Sequence, residues 1–300
     1  MQNVFLDART AADIDRSVAK ILRDLGNPEP PLRLEVVRDL LSLDRAYYSS
    51  ADDGALAETI HRLHVAGKQI LQRPLLLLDV VRRLDLKALW VPDRKRILID
   101  SELPKPKQRW GEAHEIGHSI IPWHGKMMHG DKTRTLNFSC EQQLEAEANY
   151  AAGSLLFMQK EFVERLRSSS LSFDYVKSLS KQFGNSMTTT LWRAIEASQP
   201  PTFGLVSQHP RRTNGDPPVR YFVRSMQFER VFGNVTAREV FDCLEKFCYG
   251  NRGPIGSSEV LFRDMDGESH LFFVETFFNS YEALTIGTYR RVKAPAISVV

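Results

Sequence analysis

Two histidines four residues apart, His114 and His118, with Glu115 beside the first, constrain this chain more than any other feature of its sequence. On a helix, residues at that spacing project from nearly one face, so both imidazoles can converge on one metal ion. Glu115 is then placed to act as a general base toward a water molecule. The segment reads as a helix beginning near Lys107, after Pro104 and Pro106, with Ile116, Ile120 and Ile121 giving it an apolar side. Alone, the five-residue pattern is only moderately specific, and its bland counterpart is an amphipathic helix carrying two exposed histidines.

A catalytic zinc site takes three protein ligands and keeps one position open. Two residues compete for the third place. His124 lies six residues after His118, a spacing that requires a sharp turn, normally at a glycine; here Ile121 stands at that point and Pro122 follows. Glu145 lies on a second strong helical stretch, roughly Cys140 to Phe157, and Asn149 one turn later can hydrogen-bond a ligand imidazole. Glu147 falls about 160° from Asn149 around the helical wheel and is the weaker candidate. The sequence favours Glu145.

The run Arg109-Trp110-Gly111-Glu112-Ala113-His114-Glu115-Ile116-Gly117-His118, followed by Glu145-Ala146-Glu147-Ala148-Asn149-Tyr150-Ala151-Ala152 and Leu155-Leu156, resembles the ImmA/IrrE family of bacterial zinc peptidases. Ile97-Leu98-Ile99-Asp100 and Leu103-Pro104 fit the same lead-in, and the likeness covers about residues 55–197. The chain departs from the family where Leu155-Leu156-Phe157-Met158-Gln159 replaces the usual Leu-Leu-Met-Pro ending. The resemblance implies a zinc cofactor held by His114, His118 and Glu145, with Glu115 as catalytic base. It further implies a regulatory endopeptidase whose substrate is a partner protein, a helix-turn-helix repressor of stress, mobile-element or antiphage genes. Nucleic acid or a small molecule would be the activating signal. For the oxyanion, His129, His209 and Tyr150 are candidates without a distinguishing signal.

Cys140, five residues before Glu145 on the same helix, is a candidate inhibitory thiolate that could occupy the open zinc position. Its plainer role is a small residue at a helix start. The chain has three cysteines, an odd number without framework spacing, which predicts a reduced, cytoplasmic setting. The opening residues lack a signal-peptide pattern, and the longest apolar stretch, Pro74 to Val81, contains Asp79 and is too short to span a membrane. Forty basic against 37 acidic residues give a formal charge of +3, so nothing global argues for nucleic acid.

The expected architecture is α+β: a mainly helical, zincin-like metallopeptidase domain with a small sheet, then a smaller α+β domain of GAF/PAS-like character. The expected boundaries are 1–198 for the first domain, 199–218 for a linker and 219–300 for the second. Helices are expected at 10–24, from about 34, and through 55–84. Ala88–Val91 and Arg96–Asp100 read as a β-hairpin that could offer an edge strand to an extended substrate. Residues 171–197 resemble a helix-turn-helix around Gly184, with Thr188, Thr189, Thr190 and Arg193 on its second helix; a helical subdomain beside the cleft is the preferred reading, because that helix is poor in basic residues. Arg211, Arg212, Arg220 and Arg224 form a loose basic cluster. In the second domain, turns at 264–267 and 279–282 predict an antiparallel meander.

Overall fold

The computed structural model describes residues 3–48, 88–91, 95–124, 138–212 and 218–292. The helical stretch expected at 55–84 and most of the polar segment at 124–139 lie outside them. By contacts the chain divides into two compact units, one of residues Leu6–Gln159 and one of Lys160–Val300 together with Met1–Phe5. Among the described residues no helix is long and apolar enough to cross a membrane.

The first unit opens with α1 (Ala8–Asp24), started by Asp7, whose carboxylate accepts from the backbone N–H groups of Arg9 and Thr10. Ile14, Val18 and Ile21 recur on one face and are buried, each contributing about 1.5–3 kcal/mol by leaving water. That face lies on α4 (Phe138–Leu156), where Tyr150 Oη donates to Asp15 Oδ2 at 3.1 Å. A short α2 (Leu34–Leu41) ends at Ser42 in the left-handed region and leads into β1 (Asp44–Tyr48).

The expected hairpin is present: β2 (Ala88–Val91) pairs antiparallel with β3 (Arg96–Asp100). What the sequence did not suggest is β1, which pairs parallel to β3 on its other side and gives the order β1-β3-β2. Covered on both sides, β3 buries Ile97, Leu98 and Ile99. From it the chain enters α3 (Lys105–Ile120), with Pro104 at the cap and Pro106 in the first turn. Ile121 ends that helix in an extended conformation, as the residue before Pro122 must.

α3 and α4 cross at a point made of small residues. A Cβ on Gly117 would stand 2.7 Å from the carbonyl oxygen of Ala148 and 3.3 Å from the Cβ of Ala151. This close crossing sets the distance between the histidines of α3 and the carboxylates of α4.

The second unit begins with α5 (Lys160–Arg167), α6 (Phe173–Phe183) and α7 (Met187–Glu196). The strands follow as β4 (Thr202–Ser207), β5 (Val219–Arg224), β6 (Gly253–Arg263), β7 (Ser269–Phe278) and β8 (Ala283–Val292), with α8 (Met226–Phe232) and α9 (Ala237–Leu244) between β5 and β6. The sheet order is β5-β4-β8-β7-β6, with every neighbouring pair antiparallel, so the meander of the last three strands is present as expected.

Alternation along β4 sends Phe203 and Leu205 to one face and Val206 to the other. The first face packs on Phe228, Phe232, Val240 and Phe241 of α8 and α9; the second packs on Val176, Leu191 and Ile195 of α6 and α7. Two expectations change accordingly. Residues 199–218, read as a linker, contain β4, all six of whose residues are buried. The helices of 171–197 side with this sheet: Thr190 and Arg193 of α7 are buried, so that surface is not offered to a DNA groove.

Candidate metal centre

His114 and His118 stand one turn apart on α3, their rings edge to face with centroids 4.8 Å apart. Their Nε2 atoms are separated by 3.2 Å. Glu145, on the facing side of α4, completes a triangle: Oε2 lies 3.1 Å from His114 Nε2 and Oε1 lies 3.4 Å from His118 Nε2. Donors about 2.0–2.2 Å from a tetrahedral ion stand roughly 3.3–3.5 Å from one another. The edges of the triangle, 3.1–3.4 Å, come within about 0.2 Å of that range, and two imidazoles with one carboxylate is a donor set that suits zinc. The Glu145 side chain is about half exposed (54%) while those of His114 and His118 are 15% and 8% exposed, so the cluster opens to solvent on the glutamate side.

In the metal-free protein the same geometry shifts the ionisation of the cluster. Burial opposes a charge on His114, but its hydrogen bond to Glu145 and the fields of Glu115 and Glu145 outweigh this, so its pKa lies above the ordinary imidazole value. Burial likewise opposes ionisation of Glu145, and the hydrogen bonds from His114 and His118 overcome it, holding the carboxyl far below its usual range. Glu115, 6% exposed, is next to His114 on α3.

Asn149, one turn beyond Glu145, holds the other nitrogen of His114: its Oδ1 lies 3.0 Å from Nδ1. His124 is brought in differently from either sequence expectation. Its Nδ1 lies 2.9 Å from Nδ1 of His118, on the side of that ring away from the donor triangle, and its Nε2 is 2.9 Å from Oε2 of Glu147. Burial pushes the pKa of His124 below the ordinary value, with Glu147 pulling the other way. Glu147, 2% exposed, also accepts from Trp123 Nε1 at 2.6 Å and from Gln143 Nε2 at 2.9 Å.

Glu112, also on α3 and 4% exposed, accepts from Arg38 of α2 at 2.6 Å and from Arg45 of β1 at 2.8 Å, which ties those elements to the helix carrying the histidines. Sequence reasoning weighed His124 and Glu147 only as direct ligands and gave Glu112 no role. Their tell-tale was a charged or histidine residue on an otherwise apolar helix side, where only a partner makes burial tolerable.

The remaining candidates fall elsewhere. The side chain of Cys140 and the whole of His129 lie outside the described residues. Tyr150 is engaged by Asp15. His209, in the second unit, has Nε2 on the carbonyl of Gly250 and Nδ1 on the N–H of Arg211. The basic cluster is dispersed: Arg211 lies over the ring of Tyr249, Arg220 pairs with Glu282, and Arg224 is buried against Glu229.

No curated protein matches the chain. A solved structure described as a Mycobacterium tuberculosis transcriptional regulator is similar at 14% identity and a TM-score of 0.51, over 92% of this chain and 88% of that one. At that identity the likeness is one of fold. A family model, Peptidase_M78, described as the IrrE N-terminal-like domain, matches residues 70–194, which include α3, α4 and all three donors of the triangle. Over that segment the chain is similar to the IrrE N-terminal-like domain of the Peptidase_M78 family.

Proposed function

We propose that the chain is a cytoplasmic, regulatory zinc endopeptidase that cleaves a partner protein, a helix-turn-helix repressor, and so switches on stress or antiphage genes. The observation that carries this reading is the triangle of His114 Nε2, His118 Nε2 and a Glu145 carboxylate, with Glu115 beside it on the same helix. A purely structural ion has no use for that extra buried carboxylate. Bound at the triangle, zinc would act as a Lewis acid, polarising the scissile carbonyl and making water a better nucleophile at neutral pH. His114, His118 and Glu145 hold it. Glu115 takes the proton from the attacking water and hands it to the leaving amine. Asn149 keeps the His114 ring turned so that Nε2 faces the triangle.

β2 lies at one end of the described strand order and packs on α3, so an extended substrate segment added along it would run beside the histidine helix. In the second unit, the order β5-β4-β8-β7-β6, with α8 and α9 joining the edge strands β5 and β6, supports a GAF/PAS-like sensing role for nucleic acid or a small molecule.

The test is incubation of wild type and Glu115→Gln with a candidate helix-turn-helix repressor and zinc, with and without single-stranded DNA. Cleavage by wild type alone supports the enzyme; equal cleavage by both proteins removes Glu115 from the mechanism. A second reading, a DNA-binding regulator that keeps the metal site as scaffold, draws on the fold shared with a protein described as a transcriptional regulator. It expects salt-dependent DNA binding and a phenotype that survives Glu115→Gln.

A further inference from the structure

We infer that His124 and Glu147 act as a positioning pair that fixes the proton on the outer nitrogen of His118 and so presents its Nε2 lone pair to the metal. This rests on the metal-centre reading above and assigns to the pair a role distinct from that of the three donors.

The hydrogen-bond arithmetic sets the direction of the relay. An N···N contact of 2.9 Å between His118 Nδ1 and His124 Nδ1 needs one donor and one acceptor. At the far end, Trp123 Nε1 and Gln143 Nε2 donate to Glu147, whose Oε2 also lies 2.9 Å from His124 Nε2. An ionised carboxylate only accepts, which places the ring proton of His124 on Nε2. A neutral imidazole carries a single ring proton, so Nδ1 of His124 is bare and accepts from Nδ1–H of His118. In a neutral His118 ring Nε2 is then bare too, without the proton that the imidazolium gives to Glu145, and it is the atom aimed at His114 and Glu145.

The mechanical side follows from which elements supply the parts. His124 comes from the segment after α3, beyond the turn at Ile121, and Glu147 comes from α4, two residues from Glu145. The two carboxylates of α4 therefore grip His118 from opposite sides, Glu145 directly at Nε2 and Glu147 through His124 at Nδ1. Asn149 does for His114 with one residue what His124 and Glu147 do together for His118.

The test measures zinc affinity of the full chain by competition with a chromophoric chelator. His124→Leu, close in volume but without an acceptor, is expected to weaken binding about 10–100-fold, the usual cost of losing such a partner. His124→Asn, which offers an amide oxygen to the His118 N–H, is expected to recover part of that loss. Unchanged affinity in His124→Leu overturns the inference, as does an Asn variant no better than the Leu variant. His114→Gln runs beside them: if it also binds zinc like wild type, the metal centre itself is wrong, a different failure. Should His124→Leu not fold, nitrogen NMR of histidine-labelled, metal-free wild type at alkaline pH decides. The Nδ1–H tautomer is expected for His118, and an Nε2–H tautomer overturns the proposal.

Discussion

Gly117 passes Ala148 so closely that a single added methyl group would meet a helix carbonyl oxygen at 2.7 Å. In most helix interiors an alanine is preferred over glycine by about 1 kcal/mol. Here the sign reverses, because the obstructing atom is backbone and cannot swing aside. Gly117→Ala should lower unfolding free energy by about 1–3 kcal/mol, the range for overpacking, read as a shifted urea midpoint at constant slope. It should also weaken zinc binding, since it forces apart the two helices that carry the donors.

Glu112 anchors two arginines while nearly out of reach of solvent. Removing one partner of such a group leaves the others uncompensated, at about 3–5 kcal/mol. Glu112→Ala should therefore cost more stability than Arg45→Ala, whose side chain is 25% exposed. Chemical denaturation of both variants ranks them, and the reverse order would show that the pairing with α2 and β1 is incidental.

At the proposed site, protons and zinc would compete for the same atoms. The pKa of Glu145 is depressed on folding, so its contribution to stability is complete above the usual value of 4.5 and is lost as pH falls through the lower folded value. That of His114 is raised, so its contribution is complete below 6.5 and is lost as pH rises through the higher folded value. Without metal, the His114–Glu145 pair should stabilise the protein most between roughly pH 4.5 and 6.5. The melting-temperature gap between wild type and Glu145→Gln, measured with chelator across pH 3–9, should be widest there. Apparent zinc affinity should fall as pH drops below the raised His114 value, because the ligand must shed its proton first.

Glu115→Gln should keep zinc and lose cleavage. The expected drop is on the order of 10²–10⁴-fold in turnover, the usual weight of a general base. Metal content by elemental analysis separates this outcome from loss of the site, which is what Glu145→Ala should produce.

Much of the centre could be read from the chain because its parts are local. The histidine spacing and the Glu145–Asn149 spacing are each set within one helix, and helical periodicity alone puts each pair on one side. The β2–β3 hairpin and the β6–β7–β8 meander were legible for the same reason, being strands joined by short turns. What escaped is non-local. β1 pairs with β3 parallel, 52 positions downstream at Asp44 and Arg96, so no turn announces it. β4 hid between Pro200-Pro201 and the polar stretch before Pro218, where composition suggested a linker; two covering layers, not its flanks, make it a central strand. His124 and Glu147 each looked like a poor ligand because what defines them is each other.

Asn3 lies in the second unit: its side chain donates to the carbonyl of Arg224 and accepts from the same residue's N–H, across 221 positions. On a ribosome this order of events is fixed. The first unit, continuous from Leu6 to Gln159, has all its residues in hand before any strand of the second sheet is made. Asn3 must wait for β5, and its two hydrogen bonds close a loop of 221 positions. A tag fused ahead of Asn3 thus weighs on the maturation of the distal unit while sparing the donor triangle.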